Sequence, residues 1–307
     1  MNRFVIDTDP GVDDAHAIMM ACAHPDAHIE AITTVAGNVA LALTTANACT
    51  ILDVLAQDVP VYAGCSRALV ASTSDASYVH GKDGLGDSGY PPSSRKVSEE
   101  HAVNALIRLA NESPGELTLV ALGPLTNLAL ATRLYPALPK KYRRLVVMGG
   151  SIHGTGNITS TAEFNIYTDP EAAAIVFEAW NGLTLISWET TIEHSFSVAQ
   201  IESLMAMDSP HARFFQRISR RTIEYMREFM GREAMFAPDA LAVAVALEPG
   251  IVRKAEKHYV QVELAGQYTR GQTMVDWFDR PQFTPNINLV LEVDAARLWE
   301  LMQAAIR

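Results

Sequence analysis

Short apolar runs rich in β-branched residues alternate with stretches of helical periodicity through the first two thirds of the 307-residue chain, which is the signature of parallel βαβ units. The pattern predicts strands near residues 3–9, 28–36, 59–63, 117–122, 144–149 and 183–188. Helices are expected near 13–24, 41–56, 98–112, 124–134 and 169–180. Right-handed crossovers stack such units into a doubly wound, mostly parallel sheet with helices on both faces. Three segments break the rhythm. Residues 65–97 and 151–168 are long connections rich in Gly and polar residues, and long loops in compact folds usually carry function. Residues near 197–247 read as a helical insertion over the active site, before strands return near 259–264 and 286–293. No internal repeat or linker-like stretch divides the chain, so residues 1–307 are expected to form a single α/β domain.

The densest chemistry follows the first predicted strand. Asp7-Thr8-Asp9-Pro10-Gly11-Val12-Asp13-Asp14-Ala15 places four carboxylates within eight residues. Their mutual repulsion raises pKa values and destabilises the fold unless a hard cation, hydrogen-bond donors or a helix N-terminus offsets it. Side chains on a strand alternate, so Asp7 and Asp9 share a face, with Asp9 at the carboxyl end where open α/β sheets place ligands. Asp7 sits deeper and suits a supporting role. Asp13 and Asp14 open the next helix and project about 100° apart, so one of them can bind a metal while the other addresses a substrate.

Composition narrows the partners. The formal net charge of −11 argues against a nucleic-acid polyanion, and Lys140-Lys141-Tyr142-Arg143-Arg144 is a short basic run leading into a strand. Leu117–Leu134, the longest apolar candidate for a membrane span, is interrupted by Gly123-Pro124 and Thr126-Asn127, so no membrane association is expected. Cys22, Cys49 and Cys65 are odd in number and lack metal spacing, which fits free thiols in a reducing compartment. The short apolar run before Asp7 leaves no room for a signal-peptide core. The expected compartment is the cytoplasm.

Other polar groups begin at the ends of predicted strands and should converge on one crevice. They include Gly37-Asn38, Gly123-Pro124-Leu125-Thr126-Asn127 and Met148-Gly149-Gly150, while Asp239 opens a much later helix. With His80-Gly81, Ala162-Glu163-Phe164-Asn165 and Thr269-Arg270-Gly271-Gln272-Thr273, and above all the complete Asp-x-Asp-Pro-Gly-x-Asp-Asp-Ala run, the chain resembles the inosine-uridine preferring nucleoside hydrolase family nearly end to end.

The resemblance implies hydrolysis of the N-glycosidic bond of ribonucleosides to free base and ribose. It implies a calcium ion held by Asp9, Asp14, Asp239 and the backbone carbonyl of Leu122, with ribose hydroxyls and a water completing the shell. Asp9 would remove the proton of that water as general base. Asp13 would accept a ribose hydroxyl hydrogen bond, and Asn38, His80, Met148, Asn157, Glu163 and Asn165 would surround the substrate. A homodimer or homotetramer is the implied assembly.

One position departs from the pattern. Family members carry a histidine immediately before the late metal-binding aspartate, implicated in protonating the leaving base, and here Pro238 stands there. Proline has no ionisable group. The candidates for activating or holding the base are His80, Tyr225, Arg232, Phe236 and Trp188. Two other functions compete: a ribose- or nucleoside-binding protein that has lost turnover, and a haloacid-dehalogenase-like phosphatase using Asp7-Thr8-Asp9 with magnesium.

Overall fold

The computed structural model describes residues 2–70, 75–228, 231 and 233–307. Six βα or strand units build its first two thirds. They comprise β1 (Asn2–Thr8), α1 (Val12–Ala23), β2 (Ala27–Thr34), α2 (Leu41–Val54), β3 (Val61–Ala63), α3 (Ser77–His80), α4 (Ala102–Glu112), β4 (Leu117–Ala121), α5 (Thr126–Leu134), β5 (Arg144–Met148), α6 (Phe164–Thr168), α7 (Pro170–Ala179) and β6 (Leu183–Ile186). The remainder runs through α8 (Trp188–Glu193), β7 (Phe196–Ser197), α9 (Val198–Met205), α10 (Pro210–Glu228), β8 (Ala234–Met235), α11 (Pro238–Leu247), β9 (Val252–His258), β10 (Val260–Val262), β11 (Thr273–Val275), β12 (Ile287–Val293) and α12 (Ala295–Ala305).

Among the described residues, eight strands form one sheet in the order β3-β2-β1-β4-β5-β6-β12-β9. All neighbouring pairs are parallel except β12 with β9. The expected doubly wound architecture is therefore the observed one. Strand alternation splits the core in two: Phe4, Ile6, Val120, Val146 and Met148 pack on one side, and Val5, Leu119, Leu145 and Val147 on the other. Helices α1, α11 and α12 pack together against the first side, while α5 packs with α4 and α7 against the second. The chain winds outward from β1 through β2 to β3, and in the opposite direction from β4 through β5 to β6. The winding reverses between β1 and β4, so the crevice for a ligand opens at their carboxyl ends.

Several boundaries differ from the sequence pattern. The segment expected as one helical insertion contains α9, α10 and α11, with the β7–β8 pair joining Phe196 to Met235 at its base. Helix α11 is not part of a covering insertion, because it packs on α1 and β5 within the helical layer. The strand expected near 259–264 is the shorter β10, which pairs with β11 in a separate antiparallel ribbon. The strand that does join β12 is β9, whose Arg253, Lys254, Glu256 and Lys257 hide it from a hydrophobic pattern. No helix among the described residues is long and apolar enough to cross a membrane.

Helix α1 carries two of the carboxylates and is buried along nearly its whole length, with Ile18 at 0% exposure. Ile18→Ala is expected to lower stability by about 2–5 kcal/mol in urea denaturation, through lost burial and a residual cavity. Leu134→Ala, at a position 68% exposed, should change it by less than about 0.5 kcal/mol.

Candidate active site

Asp9 follows β1 and Leu122 follows β4, so both stand at the reversal point. The backbone presses close around the Asp9 carboxylate. A Cβ on Gly37 would collide with Oδ2 of Asp9 and one on Gly123 with Oδ1, so only glycine admits the side chain between the ends of β2 and β4. Asn38 then fixes the carboxylate by donating its backbone N–H to Oδ2 at 2.7 Å. Asp9 Oδ1 is buried with no partner among the described residues.

Asp14 is held by three donors. Thr8 Oγ1 donates to Oδ1, while Gly11 N and Asn38 Nδ2 donate to Oδ2 at 2.8 and 3.0 Å. Asp7 lies behind, accepting from Thr33 Oγ1 at 2.5 Å and Asn127 Nδ2 at 2.8 Å, with its Oδ2 unpartnered among the described residues. Asn127 also donates to Thr34 O and accepts from Cys65 N, so Asp7 is tied to the frame of β2 and α5. Asp239 arrives from the first turn of α11, where Pro238 occupies the initial helical position. A proline fits there because its missing N–H needs no partner.

Carboxylate oxygens of Asp13, Asp14 and Asp239 lie within 4.8 Å of one another. Burial pushes Asp9 and Asp239 well above the ordinary carboxylate range, and repulsion from neighbouring aspartates adds to it. Burial likewise raises Asp13 and Asp14 to about 6 and Asp7 to about 7. Buried, crowded carboxylates, an orphaned Asp9 oxygen and a nearby backbone carbonyl form a donor set that fits a hard divalent cation. The acidic cluster can thus hold a metal.

Of this cluster, Asp13 and Asp239 line one end of a cavity of about 920 Å³, open mouth included. Asp13, Asn38, Leu122, Met148, Asn157, Glu163, Asn165 and Asp239 line it there. Several residues expected at the substrate prove to be bound to the protein as well. Asn165 Nδ2 donates to Leu122 O at 2.6 Å and Met148 O at 3.3 Å, which orients both carbonyls. Glu163 accepts from Gly150, Asn165 and Ile166 N–H groups and caps α6. The sequence pattern missed this short helix, which forms inside the connection expected over 151–168. Burial still raises Glu163 to about 7. Asn157 Oδ1 accepts from Phe164 N at 2.8 Å.

His80 links the two ends. Val12 N donates to its Nδ1 at 3.1 Å, and Asp13 Oδ1 lies 3.6 Å from the same nitrogen. Burial lowers its pKa to about 4, so the ring is neutral and the accepted hydrogen bond places its proton on Nε2.

The other end is largely apolar and comes from distant segments. Trp188 packs edge-on against Phe236 at 5.2 Å, and both line the cavity beside Met226 and Met235. Tyr225 of α10 contacts Tyr78 of α3 at 5.7 Å between ring centroids. Arg232 lies outside the described residues. Sequence reasoning did not find Tyr78, His16, Ser219 and Thr222, all of which line this end. His16 carried a usable signal, since it follows Asp13 by three residues and so shares its helix face. Ser219 and Thr222 carried none, because only the fold lays α10 across α1.

The class of protein this defines is a doubly wound α/β protein with a buried acidic centre at the strand reversal. Residues 4–300 match the family model for inosine-uridine preferring nucleoside hydrolase. The chain is 36% identical to the inosine-uridine preferring nucleoside hydrolase of Crithidia fasciculata, covering 99% of this chain and 97% of that one. It is 33% identical to the pyrimidine-specific ribonucleoside hydrolase of Escherichia coli, again over 99% and 97%. The structure of an inosine-guanosine nucleoside hydrolase superposes with a TM-score of 0.93 at 33% identity, covering 99% of this chain and 98% of that one. The chain belongs to the inosine-uridine preferring nucleoside hydrolase family. It is an N-glycosyl hydrolase acting on ribonucleosides, and neither the phosphatase nor the binding-protein reading is favoured.

The glycine cradle makes a direct prediction. Gly123→Ala should leave the circular-dichroism spectrum near wild type but lower kcat/KM about 10²-fold, because the added methyl displaces Asp9. The carboxylates make another. Unfolded Asp and Glu titrate near 4, whereas Asp7 and Glu163 titrate at about 7 in the fold. Between those values the folded state holds protons that the unfolded chain has lost, so stability falls as pH rises. Chelator-treated protein should melt at a higher temperature at pH 5 than at pH 8, and added calcium should shrink the difference.

Proposed function

We propose that Asp9, Asp14, Asp239 and the Leu122 carbonyl hold a calcium ion, and that Asp9 takes the proton of the water that attacks the anomeric carbon of a ribonucleoside. When bound, the ion acidifies the attacking water and offsets the repulsion within the cluster. The observation that carries this reading is the Asp9 carboxylate itself. One oxygen is fixed by Asn38 N–H, and the other is buried at the strand reversal without a partner among the described residues, a deficit that a bound cation would make good.

Asp13, less buried than Asp9 and Asp14 and lining the cavity, accepts a ribose hydroxyl. Asn38, Met148, Asn157, Glu163 and Asn165 enclose the sugar, two of them through the carbonyls and N–H groups they orient. Asp7 supports Asp9 from behind. As the glycosidic bond breaks, positive charge grows on the ribose and the surrounding carboxylates stabilise it.

Pro238 supplies no proton to the departing base. His80 Nε2–H, presented from the wall that joins both ends, donates a hydrogen bond to it instead. Tyr225, Phe236 and Trp188 surround its ring, with Arg232 a further candidate. Relatives named for inosine-uridine, pyrimidine and inosine-guanosine substrates support a nucleoside substrate without singling out one base. Three free cysteines fit residence in the cytoplasm. The whole chain acts as one catalytic domain within a homodimer or homotetramer.

Base release from a panel of purine and pyrimidine nucleosides, with and without chelator, tests the assignment. Turnover should vanish on chelation and return with calcium. Asp9→Ala should lower kcat by about 10²–10⁴-fold, and Asp239→Ala should weaken calcium binding in calorimetry. A fully active Asp9→Ala enzyme, or calcium-dependent nucleoside binding without base release, refutes the mechanism.

A further inference from the structure

The loop that leaves β5 carries Asn157 to the cavity, and two side chains that are not among the residues lining that cavity hold its backbone. Glu189 lies in the first turn of α8 and is 9% exposed. Its Oε2 accepts from Ile152 N at 2.9 Å, and its Oε1 accepts from His153 N at 2.8 Å and Thr155 N at 3.2 Å. Thr273 opens β11 and is 1% exposed. Its hydroxyl accepts from Ser151 N at 2.8 Å and donates to Ser151 O. A loop has no strand ladder to fix it, so the destinations of its N–H groups decide its shape. Here the N–H groups of Ser151, Ile152, His153 and Thr155 all end on these two side chains. Hydrogen bonds to a carboxylate are about twice as strong as neutral ones, and Glu189 gathers three of them on a loop that the mechanism uses only through Asn157 and Glu163.

We propose that Glu189 and Thr273 are positioning residues for the hydrolysis: they fix the backbone over residues 151–155 and, through it, the placement of Asn157 against the sugar. The inference rests on the reading above, which sets Asn157 at the ribose. Asn157 is itself caught at the far end of the loop, where its Oδ1 accepts from Phe164 N at 2.8 Å and its N–H donates to Ala162 O at 3.2 Å. It therefore stands between a stem held by Glu189 and Thr273 and the start of α6. When the stem is released the loop can shift, and Asn157 loses its fixed distance to the acidic centre. A misplacement of about 1 Å can cost about 10²-fold in rate. Thr273 closes the stretch Thr269-Arg270-Gly271-Gln272-Thr273, part of the family resemblance, and this gives the stretch a task that requires no contact with substrate.

The test is a pair of double-mutant cycles on nucleoside hydrolysis at saturating calcium, joining Glu189→Gln and Thr273→Val each with Asn157→Ala. Glu189→Gln keeps the shape of the side chain, but whichever way its amide turns, an NH₂ donor faces at least one backbone N–H. Thr273→Val keeps the branched shape and removes both bonds to Ser151. Glu189→Gln should lower kcat/KM by about 10²-fold and Thr273→Val by about tenfold, with KM raised in both, because Asn157 encloses the sugar of the bound substrate as well. Added to Asn157→Ala, either change should cost less than about threefold more, since the contact it positions is already gone. A merely structural role would reduce the amount of folded enzyme, lowering kcat at constant KM and multiplying in full with Asn157→Ala. That pattern overturns the proposal, as do wild-type kinetics in both single variants, and Thr273→Val decides the matter if Glu189→Gln does not fold. Wild-type kinetics in Asn157→Ala itself is a different result: it removes Asn157 from the sugar, and overturns the underlying reading and this inference with it.

Discussion

Asp7, Asp9, Asp14 and Asp239 are each at most 3% exposed, and taking even one carboxylate out of water costs several kcal/mol unless hydrogen bonds or a cation compensate. Much of the molecule is arranged around that requirement. Helices α1 and α11 both begin at the cluster, so their N-terminal dipoles favour negative charge there. Thr8, Gly11 and Asn38 satisfy Asp14, and Thr33 and Asn127 satisfy one oxygen of Asp7. What the donors among the described residues leave over is one oxygen each on Asp7 and Asp9. Asp9 is the less satisfied of the two, its carboxylate accepting one hydrogen bond where that of Asp7 accepts two.

The central strands and the acidic end were legible in the chain because each is encoded locally. Strands β1, β4 and β5 are apolar on both faces and short, and the carboxylates fall within one turn and one helix start. Edge and late elements were not. Strand β9 is mostly charged, so nothing in its composition separates it from a solvated loop until β12 offers a partner. Helix α6 has five residues and depends on a cap, Glu163, that sequence reading had assigned to substrate. The far end of the cavity was the least visible. His16, Tyr78, Ser219 and Thr222 lie far apart in sequence, and only the laying of α10 over α1 and α3 brings them together.

The two ends of the cavity accordingly differ in how they are held. At the acidic end, side chains are tied to one another and to backbone: Asn38 holds two carboxylates, Asn165 holds two carbonyls, and Gly37 and Gly123 admit no methyl group. A substitution there disturbs several contacts at once. At the other end, α8, α10 and the residues before α11 contribute mostly apolar side chains, Trp188, Met226, Met235 and Phe236, that also pack into the core. Relatives of near-equal identity bear names that differ in the base and agree on the nucleoside. Pro238, sitting where a proline is structurally comfortable, lies on the boundary between the two ends.

The sheet ends in two unlike edges. One is β3, only three residues long, and the other is β9, carrying Arg253, Lys254, Glu256 and Lys257 on a largely exposed ribbon. A free strand edge is a template for another chain's backbone, and neither of these is a good one: the first offers too few hydrogen bonds, the second too much charge. The crowded carboxylates at the middle of the sheet are thus flanked by margins poorly suited to recruiting neighbours into fibrils.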